Sequence, residues 1–173
     1  MTQKSLSENV LIHVRRAFIE SRAANLSFPT LFLGMTGRQT GPEQVEASFD
    51  GDPLFHDARG ELNWCALGTF VDNTLGAASD MMSGPMVRPA TVHVELQMTG
   101  LPVKGALSAT GRFVTFPSVT RARQSIVNAM VSSSEGLIAQ ASAACVLLPL
   151  PEERKRKAWP WLPPDHVPAP EPT

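Results

Sequence analysis

The beginning of the chain alternates apolar and polar residues with a helical period. Between residues 5 and 24, apolar side chains recur at intervals that favour one face of a helix, with polar residues between them. The apolar positions are Leu11, Ile12, Val14, Ala17, Phe18 and Ile19. We therefore predict an amphipathic helix over residues 5–24 that packs on the outside of the domain.

The next segments predict two short strands. Residues 28–35 are rich in apolar side chains, and residues 44–49 alternate apolar Val45, Ala47 and Phe49 with polar residues. The segment that joins the two carries turn-forming residues, which are Gly34, Gly37, Gly41 and Pro42. Residues 50–60, DGDPLFHDARG, are also dense in turn formers and end this part of the chain.

A longer helical pattern covers residues 62–82. Its apolar positions have helical spacing and are Leu67, Phe70, Val71, Thr74, Leu75, Ala78 and Met81. Asn63 is of a residue type that caps helix N-termini, and Ser83, Gly84 and Pro85 favour an end after residue 82. The pattern predicts a long central helix.

Four segments after this helix have strand character, over residues 90–98, 106–116, 123–132 and 137–148. Ser133 to Gly136 predict a hairpin turn between the last two, and we expect the four strands to form a meander. In the first strand, Val92, Val94, Leu96 and Met98 alternate with Thr91, His93, Glu95 and Gln97. This alternation is typical of an antiparallel strand with one face in the core. The fold class is therefore α+β.

Residues 1–150 are expected to form a single domain, and residues 151–173 a tail. The tail begins with the mixed charges EERKRK and continues with repeated prolines that disfavour helix and central strand. A solvated surface is the preferred interpretation of the charge run, with a docking patch as the alternative. Trp159 and Trp161 predict that the start of the tail lies on the domain or on a neighbouring subunit.

Composition narrows the possible partners. The net charge of −1 provides no attraction for polyanions, so nucleic acid is excluded as an expected partner. No apolar run approaches the roughly 20 residues that cross a bilayer, and we expect a cytoplasmic protein without a cleaved signal or a membrane partner. Cys65 and Cys145 have apolar or small neighbours and are predicted to be buried free thiols. The histidines are scattered, so no metal site is predicted.

Asp72 is the only carboxylate between Glu61 and Asp80 in the predicted central helix. Helical spacing places Gly68, Asp72 and Gly76 in one row with Thr69 beside them. Glycine inside a helix costs about 1 kcal/mol relative to alanine, so the row indicates close approach of a backbone or a ligand. The alternative is a helix that is exposed along this row, with Asp72 in water.

The residues before Asp72 form a spaced motif. Asp57 and Gly60 precede Asn63 by six and three residues, Trp64 and Cys65 follow it, and six more residues lead to Asp72. This spacing resembles the Asn-x-x-Gly-x-x-His-Gly-Gly-x6-Asp motif of hotdog-fold acyl-CoA thioesterases of the phenylacetyl-CoA thioesterase-like (PaaI-like) branch. The likeness covers about residues 44–148, including Val71-Asp72-Asn73, Thr91 and the last strand. Four identities differ, because Asp57, Asn63, Trp64 and Cys65 replace the usual residues.

The resemblance implies a hotdog fold, in which a curved antiparallel sheet wraps around the long central helix, here with an extra N-terminal helix. It implies hydrolysis of an acyl-CoA thioester by Asp72, either as nucleophile or as general base. The backbone N–H of Trp64 and the side chain of Asn63 would then polarise the thioester carbonyl, and Thr91 would orient the nucleophile. Asp57 would lie near Asp72, so that mutual repulsion raises the pKa of one of them.

The same resemblance suggests how the substrate is held. Cys65, Gly68 and Thr69 are candidate substrate-binding residues, and Arg121 and Arg123, together with Arg112, are candidates for contacts with the phosphates of coenzyme A. Coenzyme A enters as part of the substrate, and no other cofactor is expected. A homodimer or homotetramer with active sites at the subunit interface is implied.

Two other functions are compatible with the sequence. A non-catalytic acyl-CoA-binding hotdog protein is the stronger alternative, because four residues of the active centre differ from the usual ones. A hotdog dehydratase or hydratase would need a catalytic histidine, and His56 and His93 lack the motif context for that role.

Overall fold

The computed structural model describes residues 6–24, 27–83, 86–114 and 124–151. Its helices are α1 (Leu6–Ala24), α2 (Phe28–Leu33) and α3 (Trp64–Ser83), with a short 3-10 turn at Pro53–Phe55. Its strands are β1 (Thr36–Gly41), β2 (Gln44–Phe49), β3 (Val87–Met98), β4 (Leu107–Val114), β5 (Gln124–Ser133) and β6 (Gly136–Pro149). Predictions for the tail with Trp159 and Trp161, and for Arg121 and Arg123, fall outside the described residues.

The six strands form one antiparallel sheet in the order β1-β2-β4-β5-β6-β3. The sheet is curved around α3, so the α+β architecture predicted from the sequence is confirmed. The meander is correct for β4-β5-β6, and the hairpin turn is confirmed by the pairing of Ser133 with Gly136. The position of β3 is wrong in that prediction, because β3 pairs along its length with β6 and β4 pairs with β2 instead.

Helix α3 begins where its N-cap lies. The Cys65 N–H donates to Oδ1 of Asn63 at 2.8 Å, and the Leu67 N–H donates to the Asn63 carbonyl at 3.0 Å. The predicted capping role of Asn63 is therefore confirmed. The helix starts two residues later than predicted because Leu62 forms a β-bridge with His56 and donates its N–H to Val103.

One face of α3 forms the centre of the core. Phe70, Val71, Leu75 and Ala78 have no exposed surface. Buried side chains of β2, β4, β5 and β6 pack on them, whereas the edge strand β3 contributes no fully buried side chain to this core. The helical spacing of these residues explains why one face is covered while the opposite face remains open. Packing in the core therefore determines which residues of α3 face away from the sheet.

The segment 28–35, predicted as a strand, is mainly helical. Pro29 lies in the first turn of α2, and Gly34 ends the helix with φ +66° in the left-handed region. The Met35 N–H then donates to the Thr30 carbonyl at 2.9 Å, which completes the helix end. Proline at a helix start and glycine at its end are strong helix signals. Strand β1 instead occupies 36–41, which the glycine pattern assigns to a turn.

Helix α1 confirms the predicted N-terminal helix and packs on α2. Ala17 of α1 and Leu31 of α2 form a small second core with Phe32. The ring of His13 lies edge-on against Phe32 and Phe55, with centroids 5.3 and 5.7 Å away. Contacts to both α2 and the 3-10 turn thus attach α1 to the side of the domain. In the described part of the chain no helix has the length and apolar character needed to cross a membrane.

Candidate functional site

A row of residues along α3 faces away from the core. Trp64, Cys65, Gly68 and Asp72 are exposed, and the Trp64 residue retains 64% of its accessible surface. A side chain added at Gly68 or at Gly76 would meet no atom within 4 Å beyond the helix itself. We call the row formed by residues 64, 65, 68, 72 and 76 the open stripe. Between Trp64 and Asp72, and beyond Asp72, its glycines leave the helix surface without bulky side chains.

The position of Asp72 corrects one interpretation of the sequence. Helix α3 is buried on one face only, so Asp72 lies in solvent in the single chain, as the alternative interpretation has it. The prediction that Cys65 is buried is wrong, because the second helical residue falls on the open stripe. The prediction for Cys145, which is buried, is confirmed.

A hydrogen-bonded clamp joins α2 to α3 next to Asp72. Nδ2 of Asn73 donates to the Thr69 carbonyl at 2.8 Å, and its Oδ1 accepts from the hydroxyls of Thr30 at 3.2 Å and Ser27 at 3.4 Å. Thr30 is completely buried. Helix α2 therefore forms one wall beside the open stripe. The sequence could not reveal this clamp, because it depends on 28–33 being a helix.

The N-terminus of α3 lies at one end of the open stripe. Since Oδ1 of Asn63 is used by the helix cap, the group that Asn63 can offer a ligand is its Nδ2 donor. Trp64 is the first helical residue, where a backbone N–H has no acceptor within the helix. The helix dipole adds positive potential here. The end of the stripe can thus stabilise a negatively charged oxygen.

The side chain of Asp57 is hydrogen-bonded within its own loop. Its Oδ1 accepts the N–H groups of Arg59 at 2.8 Å and Glu61 at 3.1 Å, and its Oδ2 lies 3.2 Å from Nε of Arg59. The backbone hydrogen bonds from Glu61 and Arg59 lower the pKa of Asp57 below its ordinary value of 3.8, and the Arg59 side chain adds to this effect. For Asp57, the prediction of a raised pKa is therefore wrong, because the loop stabilises the charged form of this carboxylate.

A β-bulge decides the direction of Thr91. Thr91 pairs with Cys145 and His93 pairs with Ala144, so Val92 is an extra residue in β3. Thr91 consequently lies on the same side as core-facing Cys145, whose Sγ is 3.9 Å from the Thr91 hydroxyl. The alternation in the sequence predicts that Thr91 and His93 lie on the same side of β3. That prediction is wrong, because the bulge at Val92 shifts the alternation by one position.

Several other candidates lie away from the open stripe. Arg112 is exposed on the sheet and donates to Gln44 at 2.9 Å, where it lines a polar hollow of about 700 Å³ with Glu95, Asn128 and Gln140. Asn128 alternates with core-facing Val127 and Ala129, so this hollow is on the sheet face opposite α3. We place the candidate site at the open stripe instead, because the hollow lies across the sheet from α3 and from the motif residues 63–72.

Among the described residues, the histidines do not form a second candidate site. Nδ1 of His56 lies 3.0 Å from the Asp52 carbonyl, and His93 lies in the row of the sheet that contains Ala144. Among the described residues, no three His, Cys, Asp or Glu side chains are grouped closely enough to hold a metal ion. The open stripe carries a carboxylate, Asp72, and a helix N-terminus, Trp64, on the same exposed side of α3.

Comparison with known proteins identifies the architecture. No protein-family model matches the chain, and no curated protein sequence matches it. A Bacillus halodurans protein solved with CoA aligns with a TM-score of 0.68 at 12% identity, covering 85% of this chain and 96% of that one. A Haemophilus influenzae thioesterase aligns with a TM-score of 0.61 at 14% identity, covering 69% and 82%.

A third structure is relevant to the sequence resemblance. A phenylacetic acid degradation-related protein from Ralstonia eutropha JMP134 aligns with a TM-score of 0.58 at 19% identity, covering 66% of this chain and 85% of that one. The chain has the hotdog fold. The resemblance to the hotdog thioesterases stated from the sequence motif is thus confirmed at the level of fold.

The Asp57 loop makes stability depend on pH. A lowered pKa in the folded chain means that the ionised Asp57 stabilises the fold above about 3.8, and that this contribution is lost as the pH falls through the folded value. We expect Asp57→Asn to lower Tm slightly near neutral pH and to match wild type at lower pH. Thermal unfolding across a pH series measures this. A Tm difference that grows on acidification would contradict the assigned hydrogen bonds.

Proposed function

We propose that the chain hydrolyses acyl-CoA thioesters at the open stripe, with Asp72 as the reacting carboxylate. The observation that carries this proposal is the combination of exposed Asp72 with bare helix surface at Gly68 and Gly76. A carboxylate on such a surface can approach a bound acyl group without steric hindrance. Cys65 and Thr69 lie on or beside the same surface, and the Thr69 hydroxyl is held by the Cys65 carbonyl at 2.7 Å.

Two copies of the chain are needed for this chemistry. Trp64 and Asp72 are separated by eight residues of one helix, which corresponds to about 12 Å along its axis. One thioester carbonyl cannot contact both groups across that distance. We therefore place the Trp64 N–H of one subunit opposite Asp72 of the partner subunit, with two such sites in each homodimer.

Strand β3 offers the surface for this pairing. It is the edge of the described sheet next to β6, and Val92 and Val94 are exposed on it. An unpaired strand edge favours pairing with another strand, and an isologous contact of β3 with its copy would continue the sheet across the dimer. Light scattering that shows a stable monomer would contradict this arrangement. Further assembly to a homotetramer is compatible with it.

In the proposed reaction, the thioester oxygen accepts hydrogen bonds from the Trp64 N–H and from Nδ2 of Asn63. The Asp72 carboxylate takes a proton from water, whose oxygen attacks the carbonyl carbon. The tetrahedral intermediate then collapses, the carbon–sulfur bond breaks, and the proton passes from Asp72 to the leaving thiolate of coenzyme A. Alternatively, Asp72 attacks the carbonyl carbon directly, the carbon–sulfur bond breaks, and coenzyme A leaves as a thiolate that takes a proton from solvent. Water then hydrolyses the resulting anhydride to the free acid and the regenerated Asp72 carboxylate. Thr91 and the arginines of the 115–123 segment remain proposed contributors.

Labelled water distinguishes these two routes. In a single turnover in ¹⁸O water, the general-base route places the label only in the released acid. The anhydride route places the label in the Asp72 carboxylate when water attacks the aspartyl carbonyl. Label in the peptide that contains Asp72, found by mass analysis, therefore establishes the anhydride route.

A non-catalytic acyl-CoA-binding protein is the second candidate. The exposed indole of Trp64, at a position where the resembling enzymes carry glycine, favours it because the ring adds apolar contact area at the end of the open stripe. Such a protein would bind acyl-CoA without releasing free thiol. Assay of the wild-type chain with short, medium, long and aryl-acyl substrates separates the two functions.

Replacement of Asp72 tests the assigned carboxylate. Asp72→Asn keeps the size and polarity of the side chain but removes the base or nucleophile, so turnover should fall by about 100-fold or more. Acyl-CoA binding should persist. Thiol release and equilibrium binding measure the two properties, with Asp50→Asn as a control for an exposed carboxylate outside the open stripe. Full turnover by Asp72→Asn, or loss of activity in Asp57→Asn alone, would refute the assignment.

Replacement of Asn63 separates its two roles. Asn63→Asp keeps an oxygen for the Cys65 N–H but loses the Nδ2 donor and adds negative charge beside the reacting oxygen. We expect kcat to fall by about 100-fold with little change in Tm. Asn63→Ala should lower both, because it also removes a helix cap that contributes about 1 kcal/mol. Wild-type kcat in Asn63→Asp would exclude Asn63 from the oxyanion site.

A further inference from the structure

Helix α1 has little packing within its own chain. It is 19 residues long, yet among its described side chains only Ala17 and Ser21 are buried. Most helical stability in proteins comes from tertiary packing of an apolar face. One side of α1 packs on α2 and on Phe55 of the 3-10 turn, and the opposite side stays exposed in a single copy.

The outward face of α1 carries large apolar side chains. Leu11 is 56% exposed, Phe18 47% and Ile19 59%. Glu8, Arg15 and Arg22 are exposed on the same face. The guanidinium of Arg22 lies 4.4 Å from the centre of the Phe18 ring, and this ring also makes an edge-on contact with Phe28 of α2, with centroids 6.5 Å apart. The face therefore combines large exposed apolar side chains with charged residues at its centre and at both ends, and exposed apolar side chains grouped in this way are typical of an interaction site.

The residues of this face are arranged symmetrically about Arg15. Glu8 and Arg22 lie seven residues before and after it, and Leu11 and Ile19 lie four residues before and after it. If a second α1 packs antiparallel with a two-fold axis at Arg15, each Glu8 faces an Arg22 of the partner. Each Leu11 then faces an Ile19 of the partner. The surface is thus complementary to itself in charge and in apolar contact.

We propose that the outward face of α1 is an interface with a second copy of this chain, formed by antiparallel α1 helices around a two-fold axis at Arg15. This interface is separate from the strand pairing at β3 and does not depend on the proposed hydrolysis.

The contact is small. A helix about 28 Å long and about 10 Å wide gives a buried area of roughly 600 Å² in total, half of the smallest standard interfaces. We therefore expect weak association through α1 alone, which becomes effective when it joins subunits that are already paired.

Charge favours a second copy over a lipid surface. A helix that binds anionic lipid concentrates Lys and Arg on its polar side. Here Glu8 lies at one end of the face and Arg22 at the other, so a uniformly negative partner would attract one end and repel the other. The Arg15 pair at the axis is the unfavourable element of the self-contact. Its long side chains can extend sideways into water.

Disulfide cross-linking tests the position of the axis. Arg15→Cys should form a dimeric cross-link rapidly, because residues that face each other on a two-fold axis satisfy disulfide geometry. The background is Cys65→Ser, which removes the exposed native thiol. Asn9→Cys, exposed but off this face, is the matched control. Cross-linking of Arg15→Cys no faster than Asn9→Cys would overturn the proposal.

Charge exchange tests the pairing. Glu8→Arg should weaken self-association by at least about tenfold in sedimentation over a concentration series, since like charges then face each other. The double variant Glu8→Arg with Arg22→Glu should restore it. Failure of the double variant to restore association overturns the pairing. Binding of wild type to phosphatidylglycerol vesicles, lost in Ile19→Asp and without self-association, would assign the face to lipid instead.

Thiol release remains a separate readout. Loss of hydrolysis in every variant would bear on the proposed function only, whereas the cross-link and the charge exchange report on α1. The two proposals can therefore fail independently.

Discussion

The close contact between β4 and α3 at Gly111 determines how the sheet can sit on the helix. A Cβ at Gly111 would lie 3.0 Å from Cγ2 of Val45 and 3.1 Å from the Thr74 carbonyl oxygen. Thr74 is compatible with this contact because its buried hydroxyl donates to the Phe70 carbonyl at 2.8 Å within the helix. The middle of the sheet therefore touches the helix backbone, and the flanking strands curve around it.

The bare side of α3 follows from that contact. Since the sheet covers one face, the residues opposite face away from it, and Gly68 and Asp72 remain open. Helix α2 limits this opening on one side through the Asn73 clamp. The exposed surface of α3 therefore carries a carboxylate, adjoins the Asn73 clamp and ends at a helix N-terminus. The proposed thioester chemistry needs that combination.

The sequence predicts the large elements well because their signals are long and periodic. Helix α3, its Asn63 cap and the order of β4, β5 and β6 follow from spacing that tertiary contacts reinforce. Helix α2 is six residues long, so its apolar composition resembles a strand, and only Pro29 and Gly34 indicate otherwise.

The candidate site was less predictable for a geometric reason. Its residues are placed by features that a spacing motif does not encode. The bulge at Val92 sets the side on which Thr91 lies, and loop hydrogen bonds lower the pKa of Asp57. The exposure of Cys65 depends on which face of α3 the sheet covers. Distances between elements, rather than residue types, decide these points.

Cys65 provides the most direct test that the open stripe binds an acyl thioester. It is exposed on the stripe, whereas Cys145 is buried and serves as an internal reference. The measurement is the rate of Cys65 alkylation by iodoacetamide with and without non-hydrolysable acyl-CoA thioethers of short, long and aryl chains. If the open stripe binds the acyl thioester, at least one thioether slows alkylation of Cys65 in proportion to its occupancy. Unchanged alkylation with a thioether that is shown to be bound would place the binding site away from the open stripe.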